Sequence, residues 1–258
     1  MNKNIYKTAF NWVAPVVVVI IIITSELFLE GFLVLIAYLI YRLYDERDKV
    51  YSYYGKRKYL KGKLTKAVSL YSKAFKTNKA EPKVCISYCY SLILSNQLQK
   101  ADEVFNIILQ MKDIKSIEPQ ILICEKLLLW KNENRLVKAI IDLEKADEEL
   151  KTTSYYGILG KLLIESGNLQ KAKIFNENAY KYNNQNEHII ENLIRIYCLL
   201  EEYKKGLKVV PILLKQKPFT KDAFYYSGLI YEKNNDLQNA QKLYKKADKY
   251  EANIFTSV

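Results

Sequence analysis

Apolar residues recur along most of this chain at three- and four-residue steps, and short polar turns interrupt them at a nearly fixed interval. Between Thr153 and Gln185, Tyr156, Gly160 and Leu163 share one helical face. Ser166-Gly167-Asn168 then breaks the helix, and Leu169, Ala172, Phe175 and Ala179 form a second apolar stripe. The turn-plus-stripe pattern begins at Gly62, Asn96, Asn134, Gly167, Glu201 and Asn235, at spacings of 34, 38, 33, 34 and 34 residues. A fixed period near 34 predicts stacked helix–turn–helix units. In mid-unit, Ala67, Ala101, Ala139, Ala172, Gly206 and Ala240 keep the side chain small, which predicts close helix approach. Gly55, Gly160 and Gly228 on first helices point the same way, because glycine inside a helix otherwise costs about 1 kcal/mol.

These positions resemble the tetratricopeptide repeat family. That family places large apolar residues at position 4 of its unit, here Tyr51, Cys85, Ile123, Tyr156, Ile190 and Phe224. Its position 24 falls on Tyr71, Phe105, Leu143, Asn176, Val210 and Tyr244, and its small position 27 on Ala74, Ile108, Ala146, Ala179, Leu213 and Ala247. Lys58 and Asn176 depart from the pattern, and only Pro218 holds the late proline place. The resemblance implies an all-α, right-handed α-solenoid of six helix pairs. Its repeat array is 51–254, with units at 51–81, 82–115, 119–152, 153–186, 187–220 and 221–254 and a C-terminal tail at 255–258. The expected form is an elongated rod. The 38-residue interval predicts a loop at Lys112–Ser116, with Pro119 opening the next helix. Pro211 predicts a bend or early break of its helix. The final helix has a polar outer side, yet little follows it, so an apolar edge is expected to be left for a partner.

Ahead of the array, a tail at 1–9 leads into two apolar arms, 10–24 and 27–44, separated by Thr24-Ser25-Glu26. The expectation is a transmembrane helical hairpin, each arm slightly short of the roughly 20 residues a crossing needs. A re-entrant hairpin would use the same arms. A cleaved signal peptide would need an Ala-x-Ala-like site after Ile23, which is absent. Lys3 and Lys7 precede the arms, Arg42, Arg47 and Lys49 follow them, and no Lys or Arg lies between. The positive-inside rule then predicts the cell (inner) membrane, with the repeats facing the cytoplasm. A basic connection, 45–50, joins hairpin and array.

Charge sharpens that picture. Of the chain's net charge of +12, half lies between Arg42 and Lys66. Arg42, Arg47, Lys49, Arg57, Lys58, Lys61 and Lys63 are therefore expected to meet anionic lipid headgroups. An RNA- or nucleotide-binding regulator would use the same basic face, although no nucleic-acid module is evident. Glu26 and Glu30, one helical turn apart, would suit a subunit of a transport complex; otherwise they mark the wet end of the hairpin.

No catalytic, cofactor or metal constellation is expected. Gly157–Leu162 is too short for a phosphate loop. His188, the chain's single histidine, is expected on the surface at a helix start. Cys85, Cys89, Cys124 and Cys198 are unpaired in spacing and predict buried, reduced thiols. What remains is an interaction surface. The repeat resemblance implies that first helices line a concave face. In the first three repeats this gives Lys56, Tyr59, Lys83, Tyr90, Lys131 and Asn132; in the fourth Lys161 and Glu165; then His188, Glu191, Arg195, Tyr225 and Glu232. Lysines and tyrosines suit an acidic or aromatic peptide. Ser52 and Ser87 stand where chaperone-binding members carry a carboxylate clamp, so that role is not implied. The expected function is a non-enzymatic, membrane-anchored scaffold that binds protein partners. Its order of apolar arms and repeats resembles PelE-type subunits of bacterial exopolysaccharide (Pel) machinery, and the Lys-, Asn- and Ile-rich, Gly-poor composition suits an AT-rich bacterial genome.

Overall fold

The computed structural model describes Val16, Val17, Ile20 and residues 28–256, without the side chains of Phe28 and Glu30. Contacts divide the chain into two units, Met1–Val50 and Tyr51–Val258. In the first, α1 (Phe28–Asp45) is an 18-residue helix with Leu29, Leu33, Val34, Leu39, Ile40 and Leu43 exposed. Eighteen residues rise about 27 Å, and this helix carries Arg42 and Asp45 in its last turns. Among the described residues no helix is long and apolar enough to cross a membrane. The second arm thus departs from the expected crossing. The first arm and Glu26 lie outside the described residues, save Val16, Val17 and Ile20.

The helix α2 (Arg47–Tyr59) runs across the division, and from Tyr51 onward the second unit is built of helix pairs. After α2 come α3 (Leu64–Phe75), α4 (Pro82–Leu94), α5 (Leu98–Leu109), α6 (Glu118–Glu133) and α7 (Leu136–Glu144). Then follow α8 (Thr153–Glu165), α9 (Leu169–Tyr182), α10 (Glu187–Leu199), α11 (Tyr203–Lys215), α12 (Lys221–Lys233) and α13 (Leu237–Ala247). No strand occurs among the described residues.

The recurring turn has a backbone cause. Gly62, Asn96, Asn134, Gly167, Glu201 and Asn235, the first residues of the six motif copies, all have φ between 54° and 77°. Glycine and asparagine tolerate that left-handed region best. It lets the chain reverse between the two helices of each pair.

The small residues also act as expected. Ala67, Ala101, Ala139 and Ala172 are fully buried, and Ala240 nearly so. The three first-helix glycines share one geometry: each faces the residue 16 positions on, in the second helix of its pair. A Cβ on Gly55 would stand 3.0 Å from Tyr71, one on Gly228 2.8 Å from Tyr244, and one on Gly160 2.2 Å from Asn176 Oδ1. This explains the fourth repeat's departure. Asn176 is fully buried and its amide donates to the Ala172 carbonyl (2.8 Å) and the Gly160 carbonyl (3.4 Å). Asn192 Nδ2 donates to Asn176 Oδ1 (3.1 Å) and to the Gly157 carbonyl (2.9 Å). A buried amide pair replaces the apolar contact, with its donors satisfied as burial demands.

The irregular stretches refine two expectations. The helix α11 continues through Pro211 to Lys215 rather than breaking early. Pro211 is exposed, and its ring removes one backbone N–H from the helix. The stretch predicted to loop before Pro119 contains a 3₁₀ turn, Ile114–Ile117, whose Ile117 is buried, and Pro119 lies in the first turn of α6.

The array also does not remain an open rod. Tyr59, at the end of α2, packs edge-on against Phe219, which precedes α12, at 5.2 Å between ring centroids. The Gly62 carbonyl accepts the Glu251 amide at 3.1 Å, and Lys63 Nζ donates to the Lys249 carbonyl at 2.7 Å. The first pair thereby meets the last. On the final helix Leu237 stays exposed, while Tyr250 just after it stacks on Phe224 at 4.9 Å and Lys246 Nζ lies 4.3 Å over the same ring.

Candidate functional site

Closure turns the inner sides of the first helices toward one another. Between the first four pairs and α10 they enclose a cavity of about 360 Å³. Lys56 and Tyr59 enter it from α2, Ser87 and Tyr90 from α4, Gln120 and Cys124 from α6, Gly157 and Lys161 from α8, and His188 from α10. Ser87 and Ser91 donate their hydroxyls to carbonyls one turn back, at 2.7 and 2.8 Å, which leaves their lone pairs as acceptors. Burial pushes the phenols of Tyr59 and Tyr90 well above the usual phenol range. They stay neutral at any physiological pH. Lys56 is exposed at the rim.

His188 is not the surface residue expected. It is half-buried in the cavity wall, with Nδ1 3.9 Å from Glu191 Oε2 and its ring edge-on to Phe219 at 5.7 Å. Asn186 caps α10 by accepting the amides of His188 and Ile189, which places His188 in the first turn of that helix.

Beyond the cavity, the inner face of α8, α10 and α12 is charged and buried. Lys161 Nζ lies 3.0 Å from Glu191 Oε1, and Arg195 NH1 2.8 Å from Glu165 Oε1. Glu191 also accepts the Thr220 hydroxyl at 2.9 Å. Burial alone would raise the Glu191 carboxyl, but Lys161 and His188 outweigh it and hold it down at about 2. Asp222 has no such partner. Burial, then the Glu191 charge, pushes it up to about 6, with Lys161 and Arg195 only partly offsetting them. Its Oδ1 is buried without a hydrogen bond.

The other expected inner-face residues scatter. Lys131 lies over the Trp130 ring at 3.8 Å, and Asn132 donates to Asp102. Lys83 is exposed at the start of α4. Tyr225 packs on Tyr244, whose hydroxyl donates to Glu232 at 2.6 Å. Of the residues expected at a lipid surface, Arg42 pairs with Glu46 at 2.6 Å, Lys49 lies 3.7 Å from the same carboxylate, and Arg47 stacks on Tyr44 at 4.1 Å. Arg57 and Lys61 are exposed, Lys58 is half-buried, and Lys63 is held by the Lys249 carbonyl. The four cysteines are buried; burial pushes the Cys85 thiol up to about 11 and that of Cys198 to about 12, which keeps both from acting as nucleophiles.

Sequence reasoning missed one occupant of this face, the segment after α13. Phe255 is 3 % exposed, its ring 5.4 Å from Trp130 and 5.3 Å from Lys161 Nζ. Its carbonyl accepts from Arg195 NH1 at 3.4 Å. Lone late aromatics in a polar stretch carry no periodic signal, so no pattern pointed to it.

No protein-family model matches the chain, and no curated protein matches it. Solved structures do resemble it. A tetratricopeptide repeat protein from Parabacteroides merdae aligns at TM-score 0.52 and 17% identity over 81% of this chain and 80% of that one. PilW, described as a widely conserved type IV pilus biogenesis factor, aligns at TM-score 0.48 and 14% identity, covering 78% and 92%. YrrB, a tetratricopeptide repeat protein described as having an unusual peptide-binding site, aligns at TM-score 0.40 and 19% identity, covering 69% and 91%. The fold of this chain is that of a tetratricopeptide repeat solenoid.

Proposed function

We propose that this protein is a non-enzymatic scaffold that docks a peptide of a partner protein on the inner face of its repeats. The observation that carries this reading is the cavity of about 360 Å³ where five first helices converge. Its size can take one or two side chains. Its wall combines apolar surface with serine lone pairs, neutral phenols and the Lys56 ammonium at the rim. That chemistry suits an acidic or aromatic side chain, with the cation steering approach and the ring faces supplying contact area. The solenoid fold supports the same class of work, since stacked repeats offer extended concave surfaces.

The attachment we propose is to a membrane, at the inner face of the cell membrane with the repeats in the cytoplasm. Exposed Leu29, Leu33, Val34, Leu39 and Ile40 on α1 support it, as does the Tyr44–Arg47 pair at the end of that helix. An apolar helix ending in an aromatic and basic girdle suits the lipid interface. Protein subunits of a membrane complex are then the partners. The repeats carry no pattern particular to exopolysaccharide machinery, and the proposal stops at a membrane-attached complex.

Peptide display against the full chain tests the docking site. Selected peptides should share acidic or aromatic residues and lose at least tenfold in affinity on the Lys56→Glu and Ser87→Phe variants. Selected peptides indifferent to both substitutions would remove the cavity from the function.

A further inference from the structure

Residues 249–256 do more than end the last repeat. Glu251 reaches α3, where its Oε2 accepts the Thr65 amide at 2.7 Å and the Thr65 hydroxyl at 2.8 Å. Thr65 stands in the first turn of α3, whose free amides and dipole favour a carboxylate. The backbone then follows the inner edge of the array. The amides of Glu251 and Ile254 donate to the carbonyls of Gly62 and Leu94, at 3.1 and 3.0 Å. Asn253 shapes the end of the path: its side chain accepts the Phe255 amide at 2.8 Å, and its own amide donates to Thr256 Oγ1 at 3.0 Å. Phe255 finishes in the aromatic and cationic seat formed by Trp130, Lys161 and Arg195. Lys161 also lines the cavity, so the segment ends where the docking site begins.

Two features make this a binding mode rather than general packing. The carbonyl acceptors belong to the turn or last turn of the first and second pairs, and they ask only for backbone amides in return. The segment's acidic and aromatic contacts with the inner face are Glu251 on Thr65 and Phe255 in its seat, four positions apart, while Tyr250 stacks on Phe224 and Ile254 packs against the core of the first repeats. Any peptide with that spacing could present the same groups, because main-chain bonds supply affinity and the two pockets supply specificity.

We propose that this strip of the inner face is a docking site for peptides with an acidic residue four positions before an aromatic one, and that residues 249–256 are its resident, displaceable occupant. The inference rests on the peptide-docking reading above and adds the partner's pattern and its control. A tethered occupant acts at an effective concentration on the order of millimolar. An external peptide therefore meets a site that is open only part of the time, and its apparent affinity falls by the open fraction.

The probe is a fluorescein-labelled peptide of the sequence 249–256, followed by anisotropy. A full chain carrying Glu251→Ala with Phe255→Ala should bind it saturably. The unaltered chain should bind it at least tenfold more weakly. A peptide with alanine at both the acidic and the aromatic position should lose at least tenfold on the loosened variant. A loosened variant that keeps its helical circular dichroism and cooperative melting yet ignores the probe overturns the proposal. Native-state hydrogen exchange on the unaltered chain decides the matter if that variant does not fold. The Glu251 and Ile254 amides should exchange at least tenfold faster than those of Leu127 and Leu163. Exchange locked to that of the core would show a segment that never leaves, and would equally overturn it. Selected peptides that depend on Lys56 while the loosened variant ignores the probe would sink this inference alone. Selected peptides indifferent to Lys56 would sink the docking reading instead.

Discussion

The repeats before Ala172 and those after it solve the same problem with different chemistry. The earlier repeats share one apolar core, running from Leu64 to Ala172 and reaching Ile196 and Phe255. Their inner face stays hollow, with serines and neutral phenols around the cavity. The later repeats hold a second core, from Ile190 to Ile230, and their inner face is closed by charge shared with the fourth repeat's α8: Glu191 with Lys161, Arg195 with Glu165, and Asp222 beside them. The Asn176–Asn192 amide pair lies at the seam. A hollow face can take a ligand at little cost to the fold. A face of buried ions holds the register of the helices that carry them, because each ion is tolerable only while its partner stays in place.

That contrast is most directly broken by removing one ion. Lys161→Met leaves Glu191 buried without its principal cation, and a buried pair stripped of one partner loses roughly 3–5 kcal/mol. A fall of this size should appear as a large drop in melting temperature. Lys56→Met, at the rim of the hollow half, should change stability by less than about 0.5 kcal/mol. Equal losses at both sites would dissolve the distinction between the two halves. Adding Glu191→Gln to Lys161→Met should restore part of the loss, since the stranded charge is then gone.

Asp222 gives an effect of opposite sign. Its carboxyl is raised from 3.8 to about 6 in the folded state, so the folded chain binds the extra proton between those values. Stability from this group is full below pH 3.8 and is lost as the pH rises through about 6. A shift of that size corresponds to about 3 kcal/mol for so buried a group. Asp222→Asn should therefore stabilise the chain at pH 7 and leave it unchanged near pH 3.5, as read by denaturant melts across that range. Glu191 runs the other way: held at about 2, it contributes above its ordinary value of 4.5, and that contribution is lost as the pH falls toward 2. A stabilisation by Asp222→Asn that persists at pH 3.5 would mean the group is not raised.

Much of this arrangement can be read from the sequence, and the rest shows where local pattern stops. The turn residues Gly62, Asn96, Asn134, Gly167 and Asn235 announce a left-handed backbone by their side chains, and the alanines announce close approach. These signals are local, and each is repeated. Closure is neither, because Glu251 meets Thr65 across 186 residues and nothing in either neighbourhood names the other. The candidate inner-face residues were legible only as a register. Lys161, Glu191 and Arg195 read as solvent-facing because charged residues usually are; they lie buried because the closed array turns that face inward. Asn176 looked like a flaw in the second helix until Asn192, 16 residues on, supplied its partner.

The glycines offer the smallest and sharpest test of the seam. Alanine is favoured over glycine within a helix by about 1 kcal/mol, so the outcome depends on what the new methyl meets. At Gly55 it would stand 3.0 Å from the Tyr71 ring, a side chain that can yield by a few tenths of an ångström. Gly55→Ala should accordingly be near neutral. At Gly160 the methyl would stand 2.2 Å from Asn176 Oδ1 and 2.7 Å from Asn192 Nδ2. Neither amide can move without breaking a buried bond, so Gly160→Ala should cost about 1–3 kcal/mol. Combining it with Asn176→Ala should cost less than the two separate losses together, because the smaller side chain makes room for the methyl. Additive losses would show that the amide pair is not what the glycine accommodates, and the seam would then be a feature of the backbone alone.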